Sequence, residues 1–127
     1  MKADELKEIF DQLKPLLKNY EKGSISARMD FESRYELWSE KELEAFGKKR
    51  NEMAFAALII QSSYVGFYFM PVYSEPEKLK KVIHPDLLRI LKGKSCFHVK
   101  RTDKNLLRHI SEALAEGYSL YREKGWV

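Results

Sequence analysis

The sequence predicts an α+β fold: a two-layer sandwich whose terminal helices pack on one face of a mostly antiparallel sheet of about five strands. Three observations lead to this prediction. Apolar residues recur every three or four positions near both ends of the chain, they alternate with a period of two between residues 25 and 70, and turn residues separate the alternating segments. The chain has 127 residues, 44% of them hydrophobic, which is room for a single domain spanning residues 1–127.

The first element is an amphipathic helix, and two strands follow it. In the helix, charged residues separate the apolar ones at the spacing of a helix that packs on a core. Pro15 lies inside it and is expected to kink it, because proline lacks the amide hydrogen of the helical ladder. After Gly23, odd-numbered residues over Ile25–Leu37 are apolar except at an expected turn near Glu32-Ser33, which predicts two strands. The apolar residues of the helix are Leu6, Ile9, Phe10, Leu13, Leu16, Leu17 and Tyr20.

A short helix is predicted before the next pair of strands. The segment Ser39-Glu40-Lys41-Glu42 has the spacing of a capping box, in which the serine and the second glutamate cap the helix start reciprocally. Gly47 follows Phe46 as a C-terminal stop. The predicted helix therefore lies within residues 39–47.

The segments Met53–Gln61 and Tyr64–Met70 are rich in β-branched and aromatic residues and predict a hairpin around Ser62-Ser63. A two-residue turn would set its register. On one face the opposed pairs are Ile60 with Val65, Leu58 with Phe67, and Ala56 with Phe69. On the other face they are Gln61 with Tyr64, Ile59 with Gly66, Ala57 with Tyr68, and Phe55 with Met70. Since both faces are apolar, one is the core, and the other is either covered by residues 40–49 or a binding surface.

Two short helical segments, a strand and a long helix complete the chain. A helix is expected from residue 76 or 77 to residue 82, and Pro85–Leu91 adds a further turn or two. Cys96–Lys100 alternates as a last strand with its odd-numbered residues inward. Asp103 caps the final helix. The apolar stripe of that helix consists of Leu106, Leu107, Ile110, Leu114, Tyr118 and Tyr121.

Charge and motifs argue against several classes of function. Residues 64–127 have 12 basic and 7 acidic side chains, a net charge of +5, whereas residues 1–63 have 11 and 12, a net charge of −1. The cations after residue 63 are spread over three elements and form no recognised nucleic-acid motif, so solvated surfaces are favoured over nucleic-acid binding. The sequence has no Walker loop, dinucleotide fingerprint or zinc-protease motif.

The sequence predicts a cytoplasmic protein that does not enter a membrane. Cys96 is the only cysteine, so no internal disulfide can form. Charged residues such as Lys2 and Glu5 interrupt the first apolar residues, unlike in a secretory signal. The longest uncharged segment, Met53–Tyr73, contains polar residues, glycine and proline, and fits two strands better than a membrane span.

Cys96 and His98 are the obvious reactive pair, and an enzyme that uses them is one alternative. Two positions apart on a strand, they would share a face at about 6–7 Å, too far for direct proton transfer without rotation. No Asn or Asp stands at a spacing that would orient the histidine, so a binding domain is favoured over this enzyme. His84 and His109 are expected to be ordinary surface or boundary residues.

Glu32, Glu36 and Glu40 are weak candidates for metal ligands. They belong to the most acidic segment of the chain, Asp30–Glu44, and Glu32 and Glu36 would share a face in extended structure. Carboxylate oxygens are ligands that magnesium, calcium and iron accept. A solvated strand face is the simpler explanation of the same pattern.

The outer sheet face is the main candidate binding surface. On that face Ala57 and Gly66 would leave room between Phe55, Tyr64 and Tyr68. Aromatic side chains around such a depression suit a small ligand or a partner protein. The residues predicted for this surface are Trp38, Tyr64, Tyr68, His98 and Lys100.

Several segments together resemble the YdhG-like bacterial domain of unknown function, which is related in fold to frataxin. They are Gly47–Arg50, Phe55-Ala56, Tyr64–Tyr73, Leu91–Lys100, Gly117-Tyr118 and Gly125-Trp126. The resemblance implies terminal helices on an antiparallel sheet and a link to intracellular iron handling, because a frataxin-like member is regarded as an iron chaperone. Frataxins present a tryptophan on the open sheet face, to which Trp38 corresponds by position on a strand. They also have an acidic ridge on the first helix, whereas here lysines balance its acidic residues.

The leading functional hypothesis is a non-enzymatic binding domain that holds a partner protein or a small ligand on its sheet face. The main alternative, implied by the resemblance, is an iron chaperone that supplies iron for cluster assembly. No resident cofactor is predicted.

Overall fold

The computed structural model describes residues 2–127, in which helices and strands alternate along the chain. The helices are α1 (Ala3–Lys18), α2 (Met70–Ser74), α3 (Pro76–Val82), α4 (Pro85–Leu88) and α5 (Lys104–Glu123). The strands are β1 (Ile25–Arg28), β2 (Arg34–Ser39), β3 (Leu43–Ala45), β4 (Lys48–Arg50), β5 (Met53–Ile60), β6 (Val65–Phe69), β7 (Leu91–Lys92) and β8 (Cys96–Val99). No helix within residues 2–127 has the length and apolar character needed to cross a membrane.

The predicted α+β class is confirmed. One antiparallel sheet has the strand order β1-β2-β5-β6-β8-β7, and the helices pack on one of its sides. It has six strands because β7 adds an edge strand that pairs Leu91 with Phe97. Strands β3 and β4 form a separate two-stranded sheet.

The predicted register of the central hairpin is confirmed. Strand β5 pairs with β6 so that Ile60 lies opposite Val65, and Ala57 lies opposite Tyr68. The amide of Gln61 donates to the carbonyl of Tyr64 at 2.9 Å and closes the turn. A two-residue connection between two strongly β-forming segments leaves no other register that keeps Leu58 and Phe67 on the buried face.

Phe55 was expected on the outer face opposite Met70, and this prediction is wrong. The pairing of β5 with β2 passes from Ala56 to Ala54 and skips Phe55, which is therefore the extra residue of a β-bulge. The bulge reverses the alternation, so the Phe55 ring is fully buried and packs on the helical side. Met70 is not in the strand either, because α2 begins there.

The helix predicted within residues 39–47 is also wrong, because β2 runs to Ser39 and residues 43–50 form the β3–β4 hairpin. Ser39 does not cap a helix: it is the last residue of β2, and its hydroxyl donates to the carbonyl of Trp126 at 2.5 Å. Phe46 and Gly47 have φ values of 53° and 74°, the left-handed conformation that tight hairpin turns require. Leu43 and Ala45 are the buried residues of β3.

The first predicted strand is shorter than its alternation suggested. Met29 and Phe31 were grouped with the apolar positions of a strand, but they are 50% and 59% exposed. Met29 has a φ of 53°, which ends β1 and turns the chain toward β2.

Pro15 lies inside α1, which runs from Ala3 to Lys18 as one helix.

The long C-terminal helix follows the sequence prediction closely. The Asp103 carboxylate accepts a hydrogen bond from the amide of Leu106 at 2.8 Å, which caps α5. Ile110 and Leu114 of the predicted stripe are fully buried. Tyr121 is buried too, and its hydroxyl donates to the carbonyl of Ala54, beside the bulge, at 2.7 Å.

Candidate functional site

The five residues predicted for one binding surface lie at different places. Trp38 and Tyr68 line a shallow groove of about 230 Å³ on the outer sheet face. His98 and Lys100 line a larger cleft of about 610 Å³. Tyr64 stacks on His98, with ring centroids 3.7 Å apart. The predicted surface is thus divided between a groove and a cleft.

The outer groove is not covered by the β3–β4 hairpin. Of residues 40–49, none lines it. The hairpin instead packs toward the C-terminus, where the indole nitrogen of Trp126 donates to the carbonyl of Glu44 at 2.9 Å and the Phe46 ring lies 5.9 Å from that of Tyr73. The question of whether this segment makes a second core is therefore decided in favour of an open outer face.

The small-residue depression predicted around Gly66 is filled by a neighbouring ring. A Cβ atom built on Gly66 would lie 2.7 Å from Cε2 of Tyr68, so that ring lies directly across the glycine. The Tyr68 hydroxyl accepts a hydrogen bond from the side-chain amide of Gln61 at 3.0 Å, which holds the ring there. The outer groove is consequently a shallow strip between Trp38 and Tyr68 and lacks a deep pocket.

The glutamates proposed as metal ligands are not brought together. Glu32 lies in the exposed β1–β2 connection and Glu40 is exposed after β2. Glu36 is half-buried on β2, where it accepts hydrogen bonds from the Trp38 indole at 2.9 Å and the Arg34 guanidinium at 2.5 Å. Burial acts to raise the pKa of Glu36, but these two hydrogen bonds and the nearby arginines outweigh it and leave the pKa below its ordinary value.

The lowered pKa of Glu36 predicts a pH-dependent contribution to stability. A carboxyl whose folded pKa lies below its unfolded pKa stabilises the fold at neutral pH, and the contribution is lost as the pH falls through the folded pKa. We expect Glu36→Gln to lower the free energy of unfolding by about 1 kcal/mol at neutral pH and by much less near pH 2. Urea unfolding at both pH values measures this, with Glu32→Gln as an exposed control. An equal cost at both pH values would contradict it.

The pKa of the Cys96 thiol is shifted in the direction opposite to that of a reactive cysteine. Burial raises its pKa, and the hydrogen bond with the Tyr68 hydroxyl only partly offsets that effect. Nucleophilic cysteines have lowered pKa values, because the thiolate is the attacking species. His98, two residues further on β8, is engaged by its stack on Tyr64.

The cleft lies at the β7 edge of the sheet, where α4, β7, the end of β8 and the start of α5 meet. Gly93, with a φ of 70°, lies in the turn from β7 to β8, and Asp103 caps the start of α5 after a short connection from β8. The turn at Gly93 and the helix cap at Asp103 thus help to position β7, β8 and α5 around the cleft. Its lining residues are Asp86, Arg89, Ile90, Lys92, His98, Lys100, Arg101, Asp103, Asn105, Leu106 and His109.

The cleft has an excess of positive charge. Its two carboxylates are engaged: Asp86 accepts from Arg89 at 2.5 Å and Asp103 caps α5. Lys92, Lys100 and Arg101 have no carboxylate oxygen within 4.0 Å among the described residues. The positive end of the 20-residue helix α5 points toward the same place.

His98 responds to this charge. Its pKa is lowered, first by burial and then by the positive charges of Lys92 and Lys100. Because Lys92 and Lys100 disfavour the protonated form of His98, the electrostatic potential at the rim of the cleft is positive. An anion placed there would meet the opposite, favourable interaction.

His109 is the residue that sequence reasoning missed most clearly. It was expected at the surface or at a boundary, but its side chain is 4% exposed and lines the cleft. Its ring stacks on that of His84 with centroids 3.7 Å apart. Nδ1 of His109 has no hydrogen-bond partner among residues 2–127, and an unpaired buried polar atom costs about 1–3 kcal/mol. The signal was present: position 109 is three residues after Leu106 and four before Ala113, within the buried stripe.

Comparisons with protein-family models, with curated proteins and with solved structures found no match to this chain. The resemblance to YdhG-like domains therefore stays a prediction.

Proposed function

We propose that this domain binds a phosphate-bearing small molecule in the cleft between α4, β7, β8 and α5. The supporting observation is that Lys92, Lys100 and Arg101 line a concave site without carboxylate partners of their own. The three cations are exposed, but they line one concave cleft rather than separate parts of the surface. The proposal keeps the binding-domain hypothesis and two of its predicted residues, His98 and Lys100.

The size and chemistry of the cleft fit a small ligand. About 610 Å³ lies within the range of small-molecule sites. Arginine offers paired donors to phosphate oxygens and lysine offers a point charge, and both are present. Ile90 and Leu106 supply an apolar wall against which the non-phosphate part of a ligand could pack.

Pyrophosphate is a suitable probe, because it presents the expected charge without assuming the rest of the ligand. We expect it to bind the wild-type protein and to shift the amide resonances of residues 98–106 in NMR spectra. The double variant Lys100→Ala/Arg101→Ala should weaken binding about tenfold or more, because two charge-assisted contacts are removed. Affinity should also fall as salt is added.

The matched control is Lys48→Ala/Lys49→Ala on β4. It removes the same charge from exposed positions that do not line the cleft, so it should bind pyrophosphate nearly as tightly as wild type. Equal losses in the two double variants would mean that only net charge matters. That result, or no binding by the wild-type protein, would overturn the proposal.

A further inference from the structure

His84, Asp86 and His109 bring two imidazoles and a carboxylate together where α4 meets α5. One ligand atom from each residue lies within 4.8 Å of the other two. Among the described residues, no other trio of His, Cys, Asp or Glu side chains meets this criterion. We propose that these three residues bind one divalent transition-metal ion, for which zinc is the reference.

The buried histidine gives the independent reason for expecting a ligand. Nδ1 of His109 is buried and has no hydrogen-bond partner within residues 2–127. The nearest acidic oxygen, Oε1 of Glu112, is 3.6 Å away on an exposed side chain, beyond hydrogen-bond distance. Buried polar atoms are nearly always paired in folded proteins, so an orphan nitrogen on a histidine of this trio indicates a missing partner.

The ligand types select the class of metal. Imidazole nitrogen with one carboxylate oxygen suits zinc and neighbouring transition metals. Calcium and magnesium prefer sites made of oxygen atoms alone. Three protein ligands would also leave one position of a tetrahedral ion open to water or an anion.

To bind one tetrahedral ion, the three ligand atoms must move closer together, and His84 is the residue that would move. Ligands of a tetrahedral zinc lie about 3.3 Å apart, closer than the 4.8 Å limit that encloses this trio. The two imidazoles are nearly parallel, at 12°, and parallel rings cannot both aim a lone pair at one ion. The His84 side chain is 43% exposed and can turn if it gives up the hydrogen bond that its Nδ1 accepts from the Asp86 amide at 3.0 Å, whereas His109 is held in the core.

Asp86 has one oxygen to spare for the ion. The guanidinium of Arg89 donates to Oδ1 at 2.5 Å. The other oxygen, Oδ2, lies 3.8 Å from Nδ1 of His84. Arg89 would then orient the carboxylate, as partners of metal ligands commonly do.

Zinc titration by calorimetry tests the proposal directly. We expect the wild-type chain to bind one zinc ion, and His84→Asn and Asp86→Asn each to weaken binding about tenfold or more. Asparagine at position 84 keeps an N-cap acceptor for α4, and both positions are exposed, so both variants should fold. His98→Asn is the matched control: it removes a histidine from the same cleft but outside the trio, and should bind zinc as wild type does.

NMR measures the contribution of His109 without a substitution in the core. Zinc should shift the imidazole nitrogen resonances of His109 in NMR spectra of the wild-type protein. The proposal would be overturned if the wild-type protein bound no zinc at millimolar metal, or if His84→Asn and Asp86→Asn bound zinc as tightly as wild type does. Loss of zinc binding in His98→Asn, or His109 resonances that zinc does not shift, would also overturn it.

The metal proposal does not depend on the proposed phosphate binding, and the two can fail separately. Lys100→Ala/Arg101→Ala should lose pyrophosphate and keep zinc. His84→Asn should lose zinc affinity in the absence of any phosphate.

Discussion

Trp126→Ala is expected to lower the free energy of unfolding by about 3–5 kcal/mol, although the residue is next to the end of the sequence. The Trp126 side chain is buried, with its ring 5.0 Å from that of Tyr121 and its indole nitrogen bonded to the carbonyl of Glu44. The Trp126 carbonyl also accepts the hydroxyl of buried Ser39. Removing the indole leaves a cavity at this junction and an unpaired carbonyl in the β3–β4 hairpin.

Urea unfolding followed by far-UV circular dichroism measures this loss without relying on tryptophan fluorescence. Trp38→Ala is the matched control, because Trp38 lies half-buried on the outer groove and should cost clearly less. Amide hydrogen exchange in Leu43–Arg50 should accelerate in Trp126→Ala and stay unchanged in Trp38→Ala. Similar losses in both variants, or unchanged exchange in the hairpin, would show that Trp126 does not anchor it.

Gly117→Ala is expected to destabilise the protein by about 1–3 kcal/mol, against the usual effect of this substitution in a helix. Alanine normally gains about 1 kcal/mol over glycine inside a helix. Here the added Cβ would lie 2.3 Å from Cζ of Phe69 and 2.8 Å from Cγ of Pro71. Phe69 cannot yield, because its ring is fully buried between Phe55 and Phe67. The clash therefore outweighs the gain in helix propensity.

The matched control for Gly117→Ala is Ala115→Gly, at an exposed position of the same helix. It measures the difference in helix propensity alone and should cost about 1 kcal/mol. Thermal and urea unfolding of both variants give the two numbers. A Gly117→Ala variant that is more stable than wild type would mean that α5 moves away from β6 at little cost.

The parts of the fold predicted correctly are those set by local chemistry. A two-residue turn between β-forming segments determined the pairing of Ile60 with Val65. A single aspartate determined where α5 begins, because its carboxylate pairs with an amide three residues away. In both cases the deciding contact joins residues that are close in sequence.

The incorrect predictions arose where distant residues decide the outcome. Ser39 has the right spacing for a helix cap, but its hydroxyl binds the carbonyl of Trp126, 87 positions later. The alternation of β5 placed Phe55 outside, but pairing with β2 introduces a bulge that turns it into the core. Neither partner can be recognised from the neighbouring sequence.

The candidate site shows the same division. Pattern alone placed His98 and Lys100 on the last strand and grouped them with Trp38, Tyr64 and Tyr68 as one candidate surface, whereas the structure places both in the cleft. The sequence alone could not reveal that Tyr68 covers Gly66, or that His84 and His109 stack although 25 positions separate them.

Taken by itself, the sequence determined the α+β class, the central hairpin register and the two terminal helices, because periodicity, caps and short turns act over a few residues. Only the tertiary structure decided which residues share the cleft. Its positive charge comes from β7 and from the segment between β8 and α5, and the histidine and aspartate ligands proposed for zinc come from α4, its N-cap and α5. These groups meet because the sheet and helices pack around one core, and packing depends on the whole chain.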